Sequence, residues 1–154
     1  MEHATDSRPL ASVGYAGFVL NTDLAARLRE AGIERLIDVR ALASSRRRGF
    51  AKTALSGALA AQGIEYVHIR ALGNPKPGRE LYRSGRVAEG RALFESHLLG
   101  EQRAALEDLA HLIAQRRCAL MCVEADPALC HRSAIIDALR SELGLALHVT
   151  EVSP

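Results

Sequence analysis

A chain of 154 residues, 48% hydrophobic and 25% charged, has the size and composition of one domain that buries its own core without a disulfide or a metal. No apolar run approaches the roughly 20 residues of a membrane span. The opening MEHATDSRPL lacks the basic and apolar regions of a secretory signal, so a cytoplasmic protein with no membrane partner is expected.

In chain order, residues 1–9 read as a ragged start and 10–154 as a single domain. Residues 10–15 (LASVGY) form the first expected strand. Thr22 or Asp23 caps a helix running to Glu30, with Gly32 just past its end. A strand at 33–39 (IERLIDV) is followed by a helical pattern at 52–62 and a strand at 65–69 (EYVHI). Residues 71–86 hold Gly, Pro and basic residues without apolar periodicity, and read as a long irregular loop of the kind that often carries function. Helices at 87–98 and 101–117, broken at Gly100, lead to a strand at 118–123 (CALMCV). A last helix at 129–143 follows Pro127 and stops at Gly144, before a strand at 145–149. Strands alternating with helices require crossover connections. The expected fold is therefore α/β: a single three-layer domain with a mainly parallel sheet of about five strands flanked by helices.

The net charge of +2 conceals an asymmetry. Between Arg40 and Arg91 stand eleven basic and three acidic residues, and the remainder carries nine basic and fifteen acidic. A basic middle suits an anionic small molecule or a nucleic acid, or it is a solvated loop face. Aromatic residues at 4%, with no Trp, argue against a platform for stacked bases. Three cysteines in a reducing compartment do not suggest a disulfide framework.

Ligands of open parallel sheets bind beyond the carboxyl ends of the strands. The residues expected there are Tyr15 after the first strand, and Asp38, Arg40, Ser45 and Arg46 after the second. His68 ends the third, and Glu124, Cys130, His131 and Arg132 follow the fourth. Asp38 is either a site carboxylate or half of a buried ion pair with Arg40 or Arg46. Arg40 and Arg46 suit a bidentate grip on phosphate, with Arg47 and Arg48 as solvated neighbours. Cys130 is expected at a helix start, where the dipole, His131 and Arg132 favour thiolate. It is then either a nucleophile or a small packing residue. His131 and Glu124 are candidate proton-transfer groups, and Arg132 binds an anion or pairs with Glu124 or Asp38. Cys122 and Cys118 read as core. The spacing of Cys122, Cys130 and His131 matches no common zinc pattern, so neither a metal nor any other cofactor is assigned. His97, His111 and His148 receive no role.

The stretches SVGYAG (12–17), LIDVRALASSRRRGF (36–50), GIEYVHIRALG (63–73) and ALMCVEADPALCHRSAIIDAL (119–139) resemble the DUF488 family of bacterial and archaeal proteins of unknown function. The last stretch is the most specific. Departures are Ala43 where the family usually has Pro, Asn74 where a second Gly is usual, and Ala16-Gly17 where a hydroxyl residue is typical. The resemblance implies an α/β fold and brings no established activity. Two readings stay open: an enzyme acting on a nucleotide, nucleic acid or other phosphorylated substrate, and a non-catalytic anion- or nucleic-acid-binding module.

Overall fold

The apolar segments pair into one all-parallel sheet. The computed structural model describes residues 7–154. Its strands are β1 (Arg8–Gly14), β2 (Arg35–Asp38), β3 (Glu65–His68), β4 (Cys118–Cys122) and β5 (Leu147–Val152), in spatial order β3-β2-β4-β1-β5. Helices α1 (Asn21–Glu30), α2 (Lys52–Ala60), α3 (Lys76–Arg83), α4 (Val87–Glu101), α5 (Arg103–Gln115) and α6 (Arg132–Leu143) carry the chain back between strands.

The pleat assigns side chains to two cores. On β4, Cys118, Leu120 and Cys122 meet Phe94, Leu98, Leu106 and Ile135 from α4, α5 and α6. Ala119 and Met121, on the opposite side, meet Leu24 and Leu28 of α1 and Leu55 and Leu59 of α2. Every residue of β4 is buried, as expected of a central strand covered on both faces. The connections β1→β2 and β2→β3 step toward the β3 edge over the α1/α2 face. Those from β3 to β4 and β4 to β5 step the other way over the opposite face. A single crossover hand requires this division. β1 and its neighbour β4 send their connections over opposite faces, which makes the gap between them a topological switch point.

Several boundaries differ from the sequence reading. β1 already begins at Arg8, so the ragged start does not extend to residue 9; residues 1–6 lie outside the described range. β5 starts at Leu147 and runs to Val152, because its whole length pairs with Arg8–Val13. The segment 71–86 is not irregular throughout, since it contains α3. Pro77 occupies the first turn of that helix, where no backbone donor is needed. Gly78 lies against the Asn74 side chain, so closely that a Cβ would come within 2.1 Å of its Oδ1. Helix α4 passes through Gly100, whose side faces open space, and ends only at Glu101, with Gln102 as its cap. The helix expected from residue 129 begins at Arg132. A 3₁₀ turn, Pro127–Leu129, precedes it, held by the Asp126 side chain accepting from the Ala128 amide.

Candidate functional site

Asp38 closes β2 with no solvent exposure, and Arg40 follows two residues later on the same side of the chain. The guanidinium donates to both Asp38 oxygens (Nε–Oδ1 2.9 Å, Nη2–Oδ2 2.7 Å), the Arg40 amide donates to Oδ1, and Tyr66 Oη donates to Oδ2 at 2.5 Å. Arg40 Nη1 reaches the Phe50 carbonyl at 2.8 Å. Burial opposes the charge on Arg40, but the bond to Asp38 and its negative charge more than offset that, and the guanidinium titrates above its ordinary value. Burial, then the bond to Asp38, holds the Tyr66 phenol well above its usual range. This is the buried ion pair that the sequence left as an alternative. His68 Nε2 donates to the Arg40 carbonyl at 2.7 Å, and Tyr15 Oη donates to Ser45 Oγ at 2.9 Å while its ring stacks on Phe50. Arg47 donates to the carbonyls of Ala16 and Phe18, joining the loops after β1 and β2.

The second constellation fills the switch point. Gly14 ends β1 so close to the loop after β4 that a Cβ would lie 1.7 Å from the Glu124 carbonyl oxygen. Arg132, with 0% exposure, extends from the first turn of α6 into the gap between β1 and β4. Its Nε donates to Ser12 Oγ (2.9 Å), Nη1 to Cys122 Sγ (3.0 Å) and the Glu124 carbonyl (2.9 Å), and Nη2 to Glu151 Oε2 (3.2 Å). Burial lowers the Arg132 pKa against the opposing charge of Glu151, and burial likewise raises that of Glu151. The Arg132 guanidinium, expected to bind an anion or pair with Glu124 or Asp38, points inward and is engaged by Ser12, Cys122, the Glu124 carbonyl and Glu151.

Cys130 precedes α6, and its sulfur is joined to Cys122 in a disulfide. The expectation of a free Cys130 thiolate at a helix start does not hold in this form; the free cysteine is Cys118, buried in β4, its thiol pushed up by that burial. The buried His131 donates from Nε2 to the Val39 carbonyl at 2.7 Å, and burial lowers its pKa to about 4. The imidazole is thus neutral at physiological pH, with the unprotonated Nδ1 facing Cys130 Sγ at 3.6 Å. The donor atoms of Cys122, Cys130 and His131 all lie within 4.8 Å of one another, a convergence that the seven-residue gap between the cysteines conceals.

Arg46 stands apart from both constellations, and Glu124 joins the second through its carbonyl and not through a side-chain hydrogen bond. Both are exposed, and neither side chain has a hydrogen-bond partner among the described residues. The open concavity at this edge of the sheet lies one strand over. A cleft of about 500 Å³ beyond the carboxyl ends of β2 and β3 is bordered by Ala41, Leu42, Arg70, Gly73, Arg79, His97 and Gln102. The two loops meet closely there: a Cβ on Gly73 would fall 2.2 Å from Ala41 Cα. Arg79 Nη1 donates to the Asn74 carbonyl at 2.9 Å. Among the described residues neither Arg70 nor Arg79 has a carboxylate partner. His97 Nδ1 stands 3.0 Å from Glu101 Oε1. None of the ten residues singled out from sequence lines this cleft. Arg70 was traceable as the first basic residue after β3, whereas Arg79 and His97 lie on helices whose placement the sequence did not disclose.

No curated protein and no solved structure matches the chain. The family model described as domain of unknown function DUF488 matches residues 22–139, from the start of α1 into α6, and the chain belongs to that family.

Proposed function

We propose that the protein binds a small phosphorylated molecule of nucleotide size in the cleft at the ends of β2 and β3, with Arg70 and Arg79 gripping the anion. The carrying observation is a cleft of about 500 Å³ bordered by two guanidinium groups that have no carboxylate partner among the described residues. That volume suits a small ligand, and uncompensated guanidinium groups in a concavity favour phosphate or carboxylate. The reading keeps the anionic partner suggested by the basic middle of the chain and places recognition on residues other than Arg46 and Arg132. Calorimetric titration with nucleoside monophosphates and with inorganic phosphate tests it. Arg70→Ala and Arg79→Ala should each weaken the tightest binder by about 1.5–3 kcal/mol, the range for a lost hydrogen bond to a charged group. Unchanged affinity in both variants, with circular dichroism intact, would falsify the assignment.

One observation favours catalysis over binding alone. His97 borders the same cleft and pairs with Glu101 through Nδ1, an arrangement that leaves Nε2 to exchange a proton with a bound ligand. In that case His97→Gln retains ligand affinity while phosphate release or base release from the bound nucleotide stops. A wild-type protein that binds and never turns over leaves the module reading in place.

A further inference from the structure

The cluster behind the switch point has the composition of a metal site. We propose that, once the disulfide is reduced, Cys122, Cys130 and His131 form a Cys₂His centre for a thiophilic divalent ion of the zinc class, with the fourth position open to water or a small ligand.

Four observations carry this. The three donor atoms come from the end of β4 and the turn before α6, and they already lie within 4.8 Å of one another. The histidine is preset as a ligand: its Nε2 proton is given to the Val39 carbonyl, so the Nδ1 lone pair is left toward the sulfurs. A backbone carbonyl that accepts from the other ring nitrogen is a usual outer partner of a metal-bound histidine. Both sulfurs also face N–H donors, Cys122 Sγ the Arg132 guanidinium at 3.0 Å and Cys130 Sγ the Arg132 amide at 3.5 Å. Such donors suit anionic sulfur. Finally, the cysteine Cα atoms stand 7.4 Å apart, wider than the roughly 4.4–6.8 Å from which disulfides usually close. Charge is balanced as well. A divalent ion offsets two thiolates, and Arg132 is already paired with Glu151, so the loaded cluster is neutral overall. Two thiolates, one imidazole and an open position are a donor set found in zinc enzymes.

The chemistry closes in two steps. A dithiol or phosphine reductant delivers two electrons, the sulfur–sulfur bond breaks, and two protons from solvent give two thiols. Binding the ion then forms two metal–sulfur bonds and releases those protons, with no change in oxidation state.

The test uses the full chain, reduced with a phosphine under anaerobic conditions and titrated with cobalt(II). The expected result is a one-to-one complex with thiolate-to-cobalt charge-transfer absorption and the visible bands of a tetrahedral ion, both abolished by zinc. Cys122→Ser and Cys130→Ser should lose the charge-transfer band, and His131→Gln should keep it with affinity reduced at least about tenfold. Should a serine variant fail to fold, the wild-type protein provides a second readout. Zinc should protect Cys122 and Cys130 from maleimide alkylation, and a chelator should restore their reactivity. Cobalt-free spectra from protein whose Cys122 and Cys130 are both demonstrably reduced would overturn the proposal. Metal uptake that leaves those two thiols as reactive as before would overturn it equally.

Discussion

Asp38 receives two guanidinium nitrogens, a backbone amide and a phenol while fully withdrawn from water, so removing its carboxylate leaves Arg40 as an uncompensated buried charge. Breaking one side of such a pair usually costs about 3–5 kcal/mol. Asp38→Ala should lower the urea midpoint by that amount or prevent folding. Arg46→Ala, at an exposed side chain without a partner among the described residues, should stay within about 0.5 kcal/mol. Equal effects from the two substitutions would refute this division of roles. At this scale the sequence was informative about which residues sit at strand ends and silent about where they point. Asp38 and Arg40 are two apart in an extended chain, so their shared side was legible from the pleat alone. Nothing local distinguishes the inward Arg132 from the outward Arg46: the difference lies in the acceptors waiting on β1, β4 and β5, which come together only in three dimensions.

Elements were legible wherever apolar spacing decided them, and all five strands fall within a few residues of their expected places. The misreadings share one cause, local signals that tertiary contacts override. Pro77 and Gly78 suggested a loop, yet proline is tolerated in a first helical turn and the glycine makes room for Asn74. Gly100 suggested a break, yet Phe94 and Leu98 bury α4 firmly enough to carry the helix past it. The glycines also separate cleanly by what surrounds them. At Gly14 a methyl would collide with the Glu124 carbonyl at 1.7 Å and push the loops after β1 and β4 apart. At Gly57, exposed on α2, nothing lies within 4 Å. Gly14→Ala should therefore destabilise the protein by about 1–3 kcal/mol or more, as overpacking does. Gly57→Ala should stabilise it by about 0.5–1 kcal/mol through helix propensity. Thermal unfolding of the two variants reads both signs, and a Gly14→Ala protein melting with the wild type would mean that the two loops separate freely.

Over the whole molecule, the strand order puts a switch point between β1 and β4, the kind of place where doubly wound sheets commonly receive their ligands. In this chain it is closed, by Gly14 against Glu124 from above and by Arg132 from within. The open cleft lies instead beyond β2 and β3. The protein thus carries its own guest in the customary berth, a guanidinium tethered to α6 by three methylenes. The berth is lined by a hydroxyl, a sulfur, a carbonyl and a carboxylate, all acceptors facing one planar cation. A tethered guest has an untethered equivalent. Arg132→Gly should lose about 1–3 kcal/mol, because the acceptors on Ser12, Cys122 and Glu124 are left without their donor. Millimolar ethylguanidinium should then raise the melting temperature of that variant while leaving the wild type unchanged, because only the variant has a vacancy of matching shape. Ethylammonium has the same charge but lacks the planar fork and should not substitute. Equal recovery with both cations would mean that the berth reads charge alone.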